Sequence, residues 1–408
     1  MIFYLLISLN LSLIYSEIVL ELKKETSSNF YENFLMEYKT NLEIGNPIQT
    51  IPSKITFSNN YYFIIGDGNT NFYEKEKSLS FNLGEKLNES LQLCKEIYES
   101  TETFYFKDLK GKKNEIKNFK FIYALKPKIE KELFHSQIGF SIHSLNFGKS
   151  YNLIYELKKR NIIKSYTAYF DFNKDNSKIV MGGFPEDYEK ETNSKIYFTK
   201  IDNVFLPEYI QLHFDNSSLG NEELDYKIEI NFDFNKEGIV GNEYFKNKIN
   251  EKIFNKYFDN KICTHNNFSN FIFYQCNNKF EIDKFPTLKF YHKDMNITLE
   301  FNYKDLFQKI KDVYYFMIIF NTKNVNKWIF GSLFLKKYKT IINPDRGIIG
   351  FYIPSSELSD KNWFLIVISF ILLIIIACLS YYYYYLLKNK RKARVNEIED
   401  DFEYLTQK

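Results

Sequence analysis

Between residues 38 and 353 the chain is dominated by short runs in which β-branched or aromatic residues alternate with polar ones, such as "KIYFTKI" (195–201), "YKIEINFDF" (226–234) and "TLKFYHKDMNITLEF" (287–301). A period of two puts alternate side chains on opposite faces of a sheet, so these runs read as strands separated by turn residues. A helical period is clear in two stretches, "YNLIYELKKRNII" (151–163) and "GNEYFKNKINEKIFNKYF" (241–258). The pattern predicts a mainly β molecule with few helices.

Both ends break this pattern with continuous apolar runs. Residues 2–15 ("IFYLLISLNLSLIY") stop at Ser16, a small residue suited to signal-peptidase cleavage, although no Lys or Arg precedes them. Residues 1–16 are read as a signal peptide, with an uncleaved anchor as the alternative. Near the other end, "WFLIVISFILLIIIACLSYYYYYLL" (363–387) is 25 residues without a charge. At about 1.5 Å per residue it is long enough to cross a hydrocarbon core of ~30 Å. Trp363 and tyrosines 381–385 fall where the two interfaces would lie, and "KNKRKAR" (388–394) supplies a cationic cytoplasmic flank. This predicts a single-pass type I protein whose ectodomain is luminal or extracellular, in the secretory pathway or at the cell surface. Residues 354–362 form a linker, 363–387 the transmembrane helix and 388–408 a cytoplasmic tail that turns from basic to acidic. The basic part serves as a stop-transfer signal, or touches anionic lipid in the bilayer.

Composition adds limits. Of 408 residues, 54 are Lys or Arg and 51 Asp or Glu, a formal net charge of +3. No basic stripe with interleaved aromatics occurs, so no nucleic-acid partner is expected. The abundance of Phe and Tyr accompanies heavy use of Asn, Lys and Ile, as an AT-rich coding bias produces, and implies no cofactor. Four cysteines are too few for a disulfide-stapled scaffold. Cys378 lies in the apolar span, Cys263 and Cys276 close a short loop on the luminal side where a disulfide would persist, and Cys94 has no obvious partner. Sequons at Asn88, Asn216, Asn267 and Asn296 are candidate glycosylation sites on the same side.

Near the C-terminus, "WIFGSLFLKKYKTIINPDRGIIGF" (328–351) resembles the segment that ends the pepsin-like aspartic peptidases, the peptidase A1 fold. The matching positions are Trp328, Ile329, Phe330, Gly331, Phe334, Leu335, Tyr338, Ile349, Gly350 and Phe351. Other landmarks follow in that family's order: "IGNPIQ" (44–49), "QIGFS" (137–141), "NLIYELKKRNIIKSYTAYFDFNKDNSKIVMGGFPEDY" (152–188) and "FPTLKFY" (285–291). The resemblance covers about 38–353. It implies a bilobal pepsin-like acid-protease fold, with a short N-terminal segment 17–37, an N-terminal β lobe 38–195, a C-terminal β lobe 196–353 and a peptide-binding cleft between the lobes. Gly139 and Gly331 are expected in equivalent places beneath the two motif loops.

The family's catalytic motifs are altered. Its first Asp follows the Gln of the Pro-x-Gln element by seven residues, which from Gln49 leads to Thr56, and its Asp-Thr-Gly-Ser-Ser falls on "TFSNN" (56–60). The second motif falls on "DFNKE" (233–237), where Asp233 keeps the acid and Phe234, Asn235, Lys236 and Glu237 replace Thr-Gly-Thr-Ser. Peptidase chemistry needs two carboxylates that share a proton, one activating water and the other protonating the scissile carbonyl. Thr56 carries no such charge, Ser58 and Asn235 add side chains where the family has Gly, and Lys236 is placed to neutralise Asp233. Asp233 is therefore read as vestigial. At the flap, "IYESTETFYF" (97–106) offers Tyr98 without the family's following glycines, and signal cleavage near Ser16 would leave only about twenty residues before Tyr38 where the family has a prosegment.

Rival chemistry is not found. "DFNKEG" lacks a calcium loop's Glu at position 12, which is Tyr244, and a strand precedes it. The five histidines show no H-x-x-x-H pair, and no nucleophile elbow or Walker loop occurs, so no metal and no cofactor is expected. Asp67 reads as a turn residue. The reading is a non-catalytic homologue, monomeric in its ectodomain, that binds peptide or protein ligands in its cleft. An active membrane-anchored aspartic-type endopeptidase and a structural surface-coat glycoprotein are the alternatives.

Overall fold

A computed structural model describes residues 16–24, 27, 29–35, 37–56, 62–66, 72–87, 94–127, 136–140, 151–172, 176–201, 210–233, 236–323, 327–354 and 367–390. It divides into two compact units, Met1–Thr192 with Ile196–Tyr352, and Asn193–Lys195 with Ile353–Lys408. Among the described residues the strands form a 14-stranded and an 11-stranded sheet, so the chain is mainly β and bilobal.

The alternation seen in the sequence is the alternation of burial. Along Tyr38–Ile44 buried residues occupy every second position, whereas all five residues of Tyr62–Gly66 are buried. The second pattern belongs to a strand covered on both faces, for which a continuous apolar run is the expected sequence. The helix predicted over 151–163 is Leu153–Lys159, started by the Asn152 side chain accepting from the Tyr155 N–H at 3.2 Å. That predicted over 241–258 begins at Glu243, because Gly241 ends the strand Ile239–Gly241 and Asn242 caps the helix. It continues through a π-helical turn, Asn250–Phe254, to Asn255–Asp259.

One arrangement of strands occurs twice. In the first half Gln49–Thr56 runs parallel to Ser136–Gly139; Ser136–Gly139 is antiparallel to Tyr62–Gly66; and Tyr62–Gly66 runs parallel to Lys113–Pro127. In the second half Glu222–Phe232 runs parallel to Trp328–Phe330; Trp328–Phe330 is antiparallel to Ile239–Gly241; and Ile239–Gly241 runs parallel to Ile318–Asn321. The halves also share a sheet: Thr340–Asn343, late in the chain, pairs with Ala168–Asp171.

The aromatic residues fill the core. Trp328 packs against Phe245 and Phe290, and Phe232 against Phe330, Phe334 and Phe351, with ring centroids 4.9–6.0 Å apart. Every matched position of the C-terminal resemblance except Ile329 is buried. That motif is therefore a packing motif. The Cys263–Cys276 disulfide is formed, and it joins directly opposite residues of the hairpin Cys263–Phe268 and Phe271–Asn277. In the other unit, Val367–Lys390 is a helix of 24 residues, long and apolar enough to cross a membrane.

Candidate functional site

Thr56 ends its strand with a side chain only 2 % exposed. Its register partner on the parallel neighbour is Gly139, and its carbonyl accepts from the Phe140 N–H at 2.8 Å. In the second half Phe232 is the register partner of Phe330, which sets Asp233 beside Gly331, and the Asp233 N–H donates to the Phe330 carbonyl at 3.0 Å. Gly139 and Gly331 thus hold corresponding positions next to Thr56 and Asp233. Phe57, Ser58, Asn59 and Asn60 of the first motif, and Phe234 and Asn235 of the second, lie outside the described residues, as does Asp67.

Asp233 is 14 % exposed at its side chain and makes an ion pair with the Lys236 ammonium. The Lys236 N–H also donates to the Asp233 carbonyl at 3.1 Å, closing a tight turn. Gly331 lies under this turn so closely that a Cβ there would come 2.2 Å from the carbonyl oxygens of Lys236 and Gly238. Only glycine fits. The N–H groups of Ser332 and Leu333, opening the helix Ser332–Lys337, donate to the carbonyls of Lys236 and Glu237 at 2.6 and 2.7 Å.

The N-terminal segment braces the same turn. In the helix Phe30–Leu35 the Phe34 carbonyl accepts from the Glu237 N–H at 3.0 Å, and the Phe34 ring occupies the space a Cβ at Gly238 would need. Phe30 and Phe34 pack with Val240, Phe273, Met317 and Ile319. The Glu237 carboxylate is divided between Lys24 at 2.6 Å and Lys336 at 2.8 Å. Burial works against its charge, but Lys336 and Lys24 outweigh the burial and hold the carboxyl below its ordinary value.

Two polar residues lie on the sheet beside this turn. Asn231 is 8 % exposed, pairs in register with Gln211 and Ile329, and its Oδ1 has no hydrogen-bond partner among the described residues. Neither it nor Glu237, Lys24 and Lys336 was singled out from the sequence as a site residue. The only available signal was their position at or near the second motif, the C-terminal motif and the short N-terminal segment.

Of the remaining sequence-derived residues, Tyr98 lies on Cys94–Asp108, with Lys86 of Asn82–Lys86 as its register partner, and its hydroxyl donates to Glu96 at 2.9 Å. Residues 88–93 between those strands, Asn88 among them, and the Cys94 side chain lie outside the described set. Asn267 and Asn296 are exposed and Asn216 is half-buried in Ile210–Leu219. No group of three or more potential metal ligands occurs among the described residues. Chemically, the two equivalent positions offer a hydroxyl and one carboxylate already engaged by an ammonium. A hydroxyl at Thr56 can donate and accept hydrogen bonds but cannot serve as a second carboxylate.

A family model described as eukaryotic aspartyl protease matches residues 64–352, beginning just past Thr56. No curated protein sequence matches the chain. Among solved structures, basic 7S globulin from soybean aligns with a TM-score of 0.63 at 11 % identity, covering 84 % of this chain and 97 % of that one. Conglutin gamma, a basic 7S globulin from lupine seeds, aligns with a TM-score of 0.61 at 9 % identity, covering 83 % and 95 %. At such identities the likeness speaks for the fold.

Proposed function

The chain belongs to the eukaryotic aspartyl protease family, and from that premise we propose that it is a non-catalytic member that binds peptide or protein ligands in its interlobe cleft. The observation that carries this reading is the pair of equivalent positions: a buried Thr56 in one half, and in the other an Asp233 whose carboxylate is ion-paired to Lys236. The family's mechanism runs on one proton held between two carboxylates. The described residues supply one at these two positions, fixed in a turn braced by Gly331 and Phe34. The Cys263–Cys276 disulfide and the apolar helix Val367–Lys390 support a membrane-anchored protein of an oxidising compartment, with a luminal or extracellular ectodomain as type I topology requires.

The test follows an unfolded, fluorescently labelled protein between pH 3 and 7 for both binding and cleavage by the purified full chain. Saturable binding of intact polypeptide, with no cleavage and no change in cleavage for Asp233→Asn, is the expected result. Pepstatin-sensitive cleavage that Asp233→Asn abolishes would overturn the non-catalytic reading. Neither binding nor cleavage would overturn the binding role and leave the surface-coat alternative standing.

A further inference from the structure

A cavity of about 840 Å³ lies between the N-terminal segment, the first half of the chain and the second. The N-terminal segment lines it with Leu22, Lys23 and Lys24, the first half with Phe172 and Ser177, and the second with Glu237, Lys304 and Phe307 among others. Its volume falls within the ~300–1,000 Å³ common for small-molecule sites.

Among the described residues, the charges on its lining do not balance. Lys23, Lys24, Lys304 and Lys336 face Glu237 and Asp305. Asp305 is already engaged by Lys337 at 2.8 Å, and Glu237 is shared by Lys24 and Lys336. Lys23 and Lys304 have no carboxylate partner among the described residues. Burial lowers the Lys24 pKa, Glu237 opposes that shift, and Lys336 adds a smaller repulsion. Both partners' pKa values are lowered, that of Lys24 chiefly by burial and that of Glu237 by its two lysines against burial. One carboxylate, that of Glu237, thus serves two cations, Lys24 and Lys336.

Beside Ser177 and Gln308, the rest of the described wall is aromatic or aliphatic. Tyr38, Phe172, Phe307, Met317 and Leu333 provide aromatic and aliphatic surface, and the Lys24 ammonium stands 5.9 Å from the centre of the Tyr38 ring. A small inorganic anion would satisfy the lysines and leave this surface wet. A neutral apolar molecule would cover the surface and leave the positive charge unanswered. Both are met by an anionic head on an apolar body.

We propose that this cavity is a binding site for amphipathic carboxylates, with the carboxylate among Lys23, Lys24, Lys304 and Lys336 and the apolar body against Phe172 and Phe307. The site is separate from the cleft reading and stands or falls independently of it. Because its wall includes the N-terminal segment and Glu237, an occupant would tie that segment more firmly to the second motif turn.

The test uses the full chain in nanodiscs of zwitterionic lipid, with empty discs as the blank, and equilibrium dialysis of radiolabelled 4-phenylbutyrate. Saturable binding of one molecule per chain is expected, with the neutral 4-phenylbutyramide at least about tenfold weaker. Lys23→Met with Lys304→Met, both exposed and outside the core, should weaken the carboxylate about tenfold. Inorganic phosphate should compete poorly. No saturable binding, equal binding of the amide, equal competition by phosphate, or an unchanged affinity in the double variant would each overturn the proposal.

Discussion

The second motif is decided by single residues whose neighbours leave no slack. Asp233 and Lys236 are 14 % and 22 % exposed, so each is substantially desolvated and depends on the other. Lys236→Met is expected to cost about 1–3 kcal/mol in urea unfolding, because it removes a charged partner from a poorly solvated carboxylate. Asp233→Asn with Lys236→Met should recover part of that cost. Equal losses for the single and double variants would show that the ion pair contributes nothing. Gly331 is constrained by the backbone itself, with carbonyl oxygens 2.2 Å from any Cβ. Gly331→Ala should therefore cost about 3 kcal/mol or prevent folding, while Gly347→Ala, where no atom lies within 4 Å but φ is +61°, should cost only about 1 kcal/mol.

At the scale of elements, the informative unit is the helix Phe30–Leu35 with the strand before it. A helix of six residues has little stability of its own, and here it is held by Phe30 and Phe34 in the second-half core and by Lys24 on Glu237. The Glu237 carboxyl is held below its unfolded value, so the contribution of this contact is complete above about pH 4.3 and is lost as pH falls through the lower folded value. Hydrogen exchange should show amides 30–35 losing protection on acidification below about pH 4. In Glu237→Gln their protection should already be reduced at pH 7 and should not respond to acid in that range. A variant profile that superimposes on the wild type would rule out the ionic brace.

The whole molecule combines a bilobal β body with a separate apolar helix, and its topology is open to direct measurement. In sealed vesicles, protease added outside should trim only the tail 388–408 and spare the rest. Asn267 and Asn296 are exposed and should carry glycans, giving mobility shifts that Asn267→Gln and Asn296→Gln remove. Asn216 lies half-buried in a strand paired on both sides, so Asn216→Gln should leave the mobility unchanged. Digestion of the ectodomain in intact vesicles would reverse the orientation.

Much of the fold was legible because it depends on short-range pattern. The period-two runs became strands, the two helical stretches became helices within a few residues, and the residues of the C-terminal motif became core because apolar side chains at fixed spacing have one place to go. The Lys236 contact to Asp233 was also legible, because three residues separate the partners. The sequence could not show that Glu237 meets Lys24, 213 residues away, and Lys336, 99 residues away. Nor could it show that Thr340–Asn343 joins Ala168–Asp171 in one sheet. Contacts of that range leave no period in the chain and exist only once both halves have closed on each other. The cavity of unbalanced lysines is a product of that closure: its charges are scattered over more than 300 residues of sequence, and only the tertiary structure brings them to one wall.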